Sequence, residues 1–135
     1  MTPASANRAV QTLLNGIAEL RGVRVYGQYD AAPTAGDETA WVRYSVEHQP
    51  EAVVPSDFGS EDIYQRVSVR VDANSATSNP ERAWHLAESI RAGIVGVETD
   101  DGLTLETGIF DSTAVVGTDW ATMTVRVSGE YLQDE

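Results

Sequence analysis

The sequence predicts an α+β domain whose elements run α-β-β-β-α-β-β, and three observations carry that prediction. Ala40, Val42, Tyr44 and Val46 alternate with Trp41, Arg43, Ser45 and Glu47. Ile63, Val67, Val69 and Val71 alternate in the same way with Tyr64, Arg66, Ser68 and Arg70. Patterning of period two over such lengths means extended strands with one buried face. The third observation is a pair of apolar stripes at helical spacing, one before and one after these strands. With 135 residues, the chain is read as one domain, 1–135, around a single core.

Thr2 followed by Pro3 reads as a cap and first-turn pair, and Val10, Leu13, Leu14, Ile17 and Leu20 then fall on one stripe. This helix is expected to reach about Leu20 and to end before Gly22. A first strand follows over Val23–Tyr29, weakened by Gly27. Asp30–Glu38, with Pro33 and Gly36 among alanines and acids, reads as a mobile connection. After the two long strands, Asn79 before Pro80 and Glu81 predicts a helix start with Asn79 as its cap. Ala83, Trp84, Ala87, Ile90, Ile94 and Val95 form its apolar face, and it should end near Gly93–Gly96. Asp101 and Gly102 then turn the chain into Leu103 and Leu105. Two further strands are expected, Gly108–Val116 and Trp120–Leu132, joined by a tight turn at Gly117, Thr118 and Asp119.

Composition narrows the function. Hydrophobic residues at 41% and charged residues at 22% are ordinary globular values. The chain has no cysteine, which excludes disulfides, thiolate metal sites and cysteine nucleophiles. Neither a signal peptide nor a membrane span is expected. The charge is unusual: 21 acidic residues against 9 basic ones give a net charge of −12, and every basic residue is an arginine. Such a chain repels a phosphate backbone, so nucleic-acid binding is disfavoured unless the arginines gather on one face. An acidic, lysine-free composition fits either a halophilic setting or a GC-rich genome.

The chemistry-bearing residues form no recognisable constellation. His48 and His85, the two histidines, belong to no spaced ligand set. No nucleophile elbow and no phosphate-cradling glycine pattern is present, and Asp100-Asp101-Gly102 reads as a turn rather than a calcium loop. Glu61 and Asp62 read as charges that cap or shield the start of a strand. The reading is therefore of a protein without catalytic residues, cofactor or metal.

Two groups of residues remain. The segment Gln49–Glu61 is far longer than a hairpin turn requires, and Val53, Val54 and Phe58 are its sizeable apolar residues. They either fold back on their own sheet or meet a partner. Partner contact is the reading adopted, because a loop projecting from a rigid hairpin is well placed to dock. Trp41 and Trp120 are out of phase with the aliphatic rows of their strands. They either cover the opposite face of the sheet or sit in a subunit interface.

The order of elements resembles the tail terminator proteins of long-tailed viruses, the lambda-like minor tail family that includes tail-to-head joining proteins. The residues that carry the resemblance are the helix Ala6–Leu20, the strands TAWVRYSVEHQ and DIYQRVSVRVD, the helix NPERAWHLAESIRAGI with its alanine face, and the closing strand WATMTVRVSGEYL. The resemblance implies two helices packed on a mainly antiparallel, mixed sheet of about five strands, with six subunits closing into a ring. That homohexamer would cap the finished tail tube, stop polymerisation of the tube protein and present its other face to the head-tail connector or stopper protein. It would sit at the head-proximal end of the tail, assembled in the host cytoplasm, with no membrane involved. Six copies at −12 each would carry −72, so an acidic lumen would let DNA pass without holding it. The alternatives are a head-completion or stopper protein of the same neck, a small ligand-binding module, or a small enzyme.

Overall fold

The computed structural model describes residues 1–31, 33, 39–49, 52–55, 61–110, 115–116 and 119–132, with backbone alone for 52–55, 61–63 and 115–116. Its elements are α1 (Pro3–Asn15), β1 (Arg24–Tyr26), β2 (Ala40–His48), β3 (Ala52–Pro55), β4 (Glu61–Ala76), α2 (Glu81–Ile94), β5 (Thr104–Phe110), β6 (Val115–Val116) and β7 (Trp120–Leu132). The main sheet runs β1-β2-β4-β7-β5, while β3 continues beside β4 and β6 beside β7. Among the described residues, β1 pairs with β2 in parallel and the other pairings are antiparallel, so the sheet is mixed. Two helices and a five-strand main sheet in the order α-β-β-β-α-β-β make the fold α+β.

Both helices lie on one face of the sheet. Val42 and Tyr44 of β2, Val69 and Val71 of β4, and Met123 and Val125 of β7 share a buried cluster with Val10 and Leu14 of α1 and Ala83, Ala87 and Ile90 of α2. Each large aliphatic side chain removed from water there contributes about 1.5–3 kcal/mol. Alanines at positions 83 and 87 have no exposed surface, which brings α2 close to β4 and β7. Leu86, which the expected stripe omitted, is buried with them, and Trp84 is half-buried against Phe110, with ring centroids 5.5 Å apart.

The expected boundaries hold for β2 and β7 and move elsewhere for identifiable reasons. Thr2 caps α1 in a reciprocal box with Ser5, but the helix stops at Asn15, not Leu20. Gly16 closes it, Ile17 turns extended, and Ala18–Leu20 form a single tight turn that still delivers Ile17 and Leu20 to the core. The first strand shrinks to three residues because the Gly27 N–H donates to the Asp30 carboxylate at 2.7 Å, which starts a turn. Asn79 does not cap α2. Pro80 occupies the cap position without a side-chain bond, and the Ala83 N–H donates instead to Ser75 Oγ of β4 at 3.2 Å. That same hydroxyl donates to the Asn79 carbonyl at 2.8 Å.

Three more boundaries shift. Gln49–Glu61 is not a loop throughout: Ala52–Pro55 pair with Glu61–Tyr64. β4 runs on to Ala76, past the expected end at Asp72, because Ala73 and Ser75 continue the buried alternation. The strand expected at Gly108–Val116 is described in two parts, β5, which starts at Thr104 with Leu103 and Leu105 fully buried, and the two-residue β6, with residues 111–114 between them outside the described residues. Most of Asp30–Glu38, and Gly117 and Thr118 of the expected tight turn, lie outside the described residues.

Candidate functional site

Strand pairing converts the polar phase of each strand into one surface. Cross-strand registers place Arg24, Trp41, Asn74 and Thr122 in one row, and Tyr26, Arg43, Asp72 and Thr124 in the next. Ser45, Arg70, Arg126 and Ile109 make a third row, and Glu47, Ser68, Ser128 and Thr107 a fourth. Arg66 stands opposite Glu130 beyond them. Residues aligned across neighbouring strands project to the same side, opposite the side carrying the aliphatic core. Among the described residues, no helix packs on this face.

Several polar groups of this face bond one another. Thr124 Oγ1 donates to Asp72 Oδ1 and Thr122 Oγ1 to Asn74 Oδ1, each at 2.6 Å. Asn74 Nδ2 in turn donates to the carbonyls of Trp41 and Asp72. Arg70 and Arg126 are direct cross-strand neighbours, a repulsive arrangement that Asp72 relieves at 3.2 Å from Arg70 and Glu47 at 3.5 Å from Arg126. Ser68, Asn74 and Thr124 are thereby buried in a layer of side chains without a second sheet above them.

Trp41 and Trp120 meet at one corner of this face. Their rings stand edge to face with centroids 5.7 Å apart, and Tyr26 adds a second such contact to Trp41 at 5.5 Å. The Arg43 guanidinium lies 5.3 Å from the Trp41 ring centre, a cation–π contact. Trp41 is only 5% exposed, while Trp120 remains partly open. Both tryptophans therefore lie opposite the helices, where their phase in the sequence places them. Trp41 Nε1 and Arg43 Nε are buried donors with no acceptor among the described residues.

Charge is the property that sequence reading left incomplete. The cross-strand rows named above carry five of the nine arginines, at 24, 43, 66, 70 and 126, against three carboxylates, Glu47, Asp72 and Glu130. Those rows thus sum to +2 in a chain of −12, which leaves −14 for everything else. The arginines do gather on one side. Their polar-phase spacing in each strand was the available signal, but only the registers show that the phases coincide.

The second group of expected site residues lies elsewhere. Val53 and Val54 fall in β3, in register with Ile63 and Asp62 of β4, and Phe58 lies outside the described residues. Because β7 accompanies β4 only as far as Tyr64, paired with Leu132, the β3–β4 pair extends past the main sheet as a two-stranded arm among the described residues.

The fold is already known from solved structures. A chain from the virion of a native gene transfer agent particle superposes with a TM-score of 0.62, covering 98% of this chain and 100% of its own, at 19% identity. A second solved structure matches with a TM-score of 0.58 over 98% of this chain and 93% of its own, at 15% identity. At these identities the likeness is one of fold. No protein-family model matches the sequence, and no curated protein matches it.

The concave regions are shallow. A groove of about 640 Å³ runs between α1 and α2, lined by Leu13, Ile17, Glu88 and Gly93. Another of about 610 Å³ opens between α1 and β2, where Asn7, Gln11, Tyr44 and His48 meet. His48 Nε2 shares a 3.0 Å hydrogen bond with the Tyr131 hydroxyl, and His85 stands 3.9 Å from Glu88 on the exposed side of α2. Burial pushes the Tyr131 and Tyr44 hydroxyls above their ordinary pKa. At Tyr44 the negative charge of Asp30 adds to that shift and a hydrogen bond with Asn7 opposes it.

Proposed function

We propose that this chain is a structural protein of a virion, and more narrowly a tail-terminator-type subunit. Six copies would close into a ring that caps the tail tube and joins it to the head connector or stopper. The observation that carries the reading is the end-to-end likeness to a virion chain, with 98% of one chain and 100% of the other aligned. The element order, which resembles the tail terminator family, supports the narrower reading. Its role on this reading is one of assembly rather than catalysis, at the head-proximal end of the tail.

Ring formation needs a contact between two different surfaces of the subunit that closes after a fixed rotation. Two features of the sheet fit that need. β1 pairs with only Trp41–Arg43 of β2, which leaves Tyr44–His48 without a strand partner on that edge among the described residues. An open edge of this kind accepts a strand from a neighbour. The segment holding Val53 and Val54 of β3, with Phe58 outside the described residues, is the proposed contact with the tube or a neighbour, and Trp41 and Trp120 mark the proposed subunit interface. In the ring, acidic side chains lining the lumen would keep DNA moving.

Mass photometry of the purified protein tests the reading. Six copies of 14.6 kDa give a species near 88 kDa, expected to grow with concentration. Added to polymerising tube protein of the same particle, the ring should limit tube length. A ring that binds the connector but leaves tube length unchanged would mark a stopper, and a protein that stays monomeric would refute the proposal.

A further inference from the structure

We infer that neighbouring copies join edge to edge, β5 of one copy pairing antiparallel with the open end of β2 of the next, so that residues 108–110 meet residues 46–48. This contact rests on the ring proposed above and supplies the two surfaces that would repeat around it.

The internal pairings fix which peptide groups point outward. The Ala76 N–H donates to the Thr39 carbonyl, so odd-numbered residues of β2 turn their peptide groups toward β4 and even-numbered ones turn them away. β1 pairs with Trp41–Arg43, and among the described residues no strand lies beside the outward groups of Val46 and His48. On the far edge of the sheet, Leu105 is bonded to Gly96 and Val97. Beyond the register shift that follows it, Gly108 and Phe110 stand opposite Val127 and Val125 of β7, and the Arg91 Nε–H reaches the outward Gly108 carbonyl at 2.9 Å. The Gly108 N–H and both peptide groups of Phe110 face no strand among the described residues. Each edge thus presents two outward residues at the same spacing, the template that accepts a further strand.

Side chains and strand direction select a second copy as the occupant. Among the described residues the exposed large apolar side chains are Tyr29, Ile109, Phe110 and Leu132, and the first three flank these two edges. Tyr29, 93% exposed, stands on the rim of the groove of about 610 Å³ between α1 and β2, which Gln11, Tyr44 and Val46 also line. Phe110, 36% exposed, lies on the same helix-covered side of the sheet, where its ring meets Trp84. Setting Phe110 opposite Val46 and Gly108 opposite His48 brings the phenyl ring over that groove and takes it out of water. β4, β7 and β5 each run antiparallel to the strand before, so β5 runs antiparallel to β2. Copies related by a rotation about an axis along the strands keep that relation, and a head-to-tail contact of this kind closes into a ring. A strand from a different protein is the competing occupant of either edge.

Disulfide trapping tests this in a chain that has no cysteine of its own. In the proposed register Glu47 stands opposite Ile109 as a non-hydrogen-bonded pair, with Cα atoms about 4.5 Å apart and so within reach of a disulfide. Both positions are exposed. A chain carrying Glu47→Cys and Ile109→Cys, mildly oxidised, should give a non-reducing gel ladder that ends at six chains. Each single variant alone should cross-link at least about tenfold less than an equal mixture of the two, because only the mixture brings unlike edges together. Adding Val46→Pro to the double variant removes an outward donor without touching the β4 ladder, and should cut cross-linking about tenfold or more, whereas Val46→Ala should retain most of it. Circular dichroism checks folding; if Val46→Pro fails to fold, Phe110→Ala should weaken the ladder in its place. Wild-type rings without cross-links in the double variant, or a ladder indifferent to these changes, would overturn the edge contact and leave the ring standing. No ladder together with a wild type that stays monomeric in mass photometry overturns both. A ladder ending at another number would keep the edge contact and refute the hexamer, and edges reserved for a strand of another protein would leave the purified double variant uncrosslinked.

Discussion

Replacing Gly129 with alanine should destabilise the fold measurably, and the structure sets the size of the effect. Gly129 lies in β7 between Val67 of β4 and Leu105 of β5, next to the place where the β5–β7 register shifts. A methyl group there would stand 2.4 Å from the Thr104 carbonyl oxygen and 2.8 Å from Leu105 Cδ2. Ordinary contact needs about 1 Å more. Leu105 is completely buried and the oxygen belongs to the backbone, so neither neighbour can swing aside. Overpacking of this kind costs about 1–3 kcal/mol. For 135 residues the unfolding entropy near the midpoint is about 0.28 kcal/mol/K, so Tm should fall by about 4–11 °C. Thermal unfolding followed by circular dichroism reads this directly, with Ser128→Ala on the exposed side of the same strand as the control. A Gly129→Ala midpoint within about 1 °C of the wild type would refute the close β5–β7 approach.

Two further outcomes follow from the same interior. Ser75→Ala removes the hydroxyl that caps α2 from a distance and should cost about 0.5–2 kcal/mol, with helical signal lost first from the start of α2; an unchanged midpoint would show that Pro80 alone suffices to start the helix. Tyr44 and Tyr131 have folded pKa values raised above 10.0, chiefly by burial, so the contribution of their neutral forms is complete below pH 10 and is lost as pH rises through the folded values. The wild type should therefore lose stability above pH 10 more steeply than Tyr44→Phe/Tyr131→Phe, and equal slopes in an alkaline melting series would contradict that origin.

The strands most faithfully legible in the sequence are those whose two faces differ most. β2 and β7 alternate apolar and polar residues along their lengths, so their ends were readable to within a residue. α1 was overextended because Ile17 and Leu20 continue its stripe in number although not in backbone, and Gly16 ended it first. β3 was hidden because Pro50, Pro55 and Gly59 spell a loop when no partner strand is known. The cap of α2 was misassigned for a related reason. Asn79 is adjacent in sequence, whereas Ser75 reaches the same amides from the end of a strand. At the candidate site, Trp41 and Trp120 were conspicuous for being out of phase, yet their contact and the union of five arginines depend on which strands are neighbours. Local pattern carries face and period. It does not carry the order β1-β2-β4-β7-β5.

The polar layer over the bare side of the sheet has a consequence for how copies would come together. Thr122, Thr124, Asn74 and Asp72 already bond one another, so that surface is content in water and gives a solitary molecule little reason to clump.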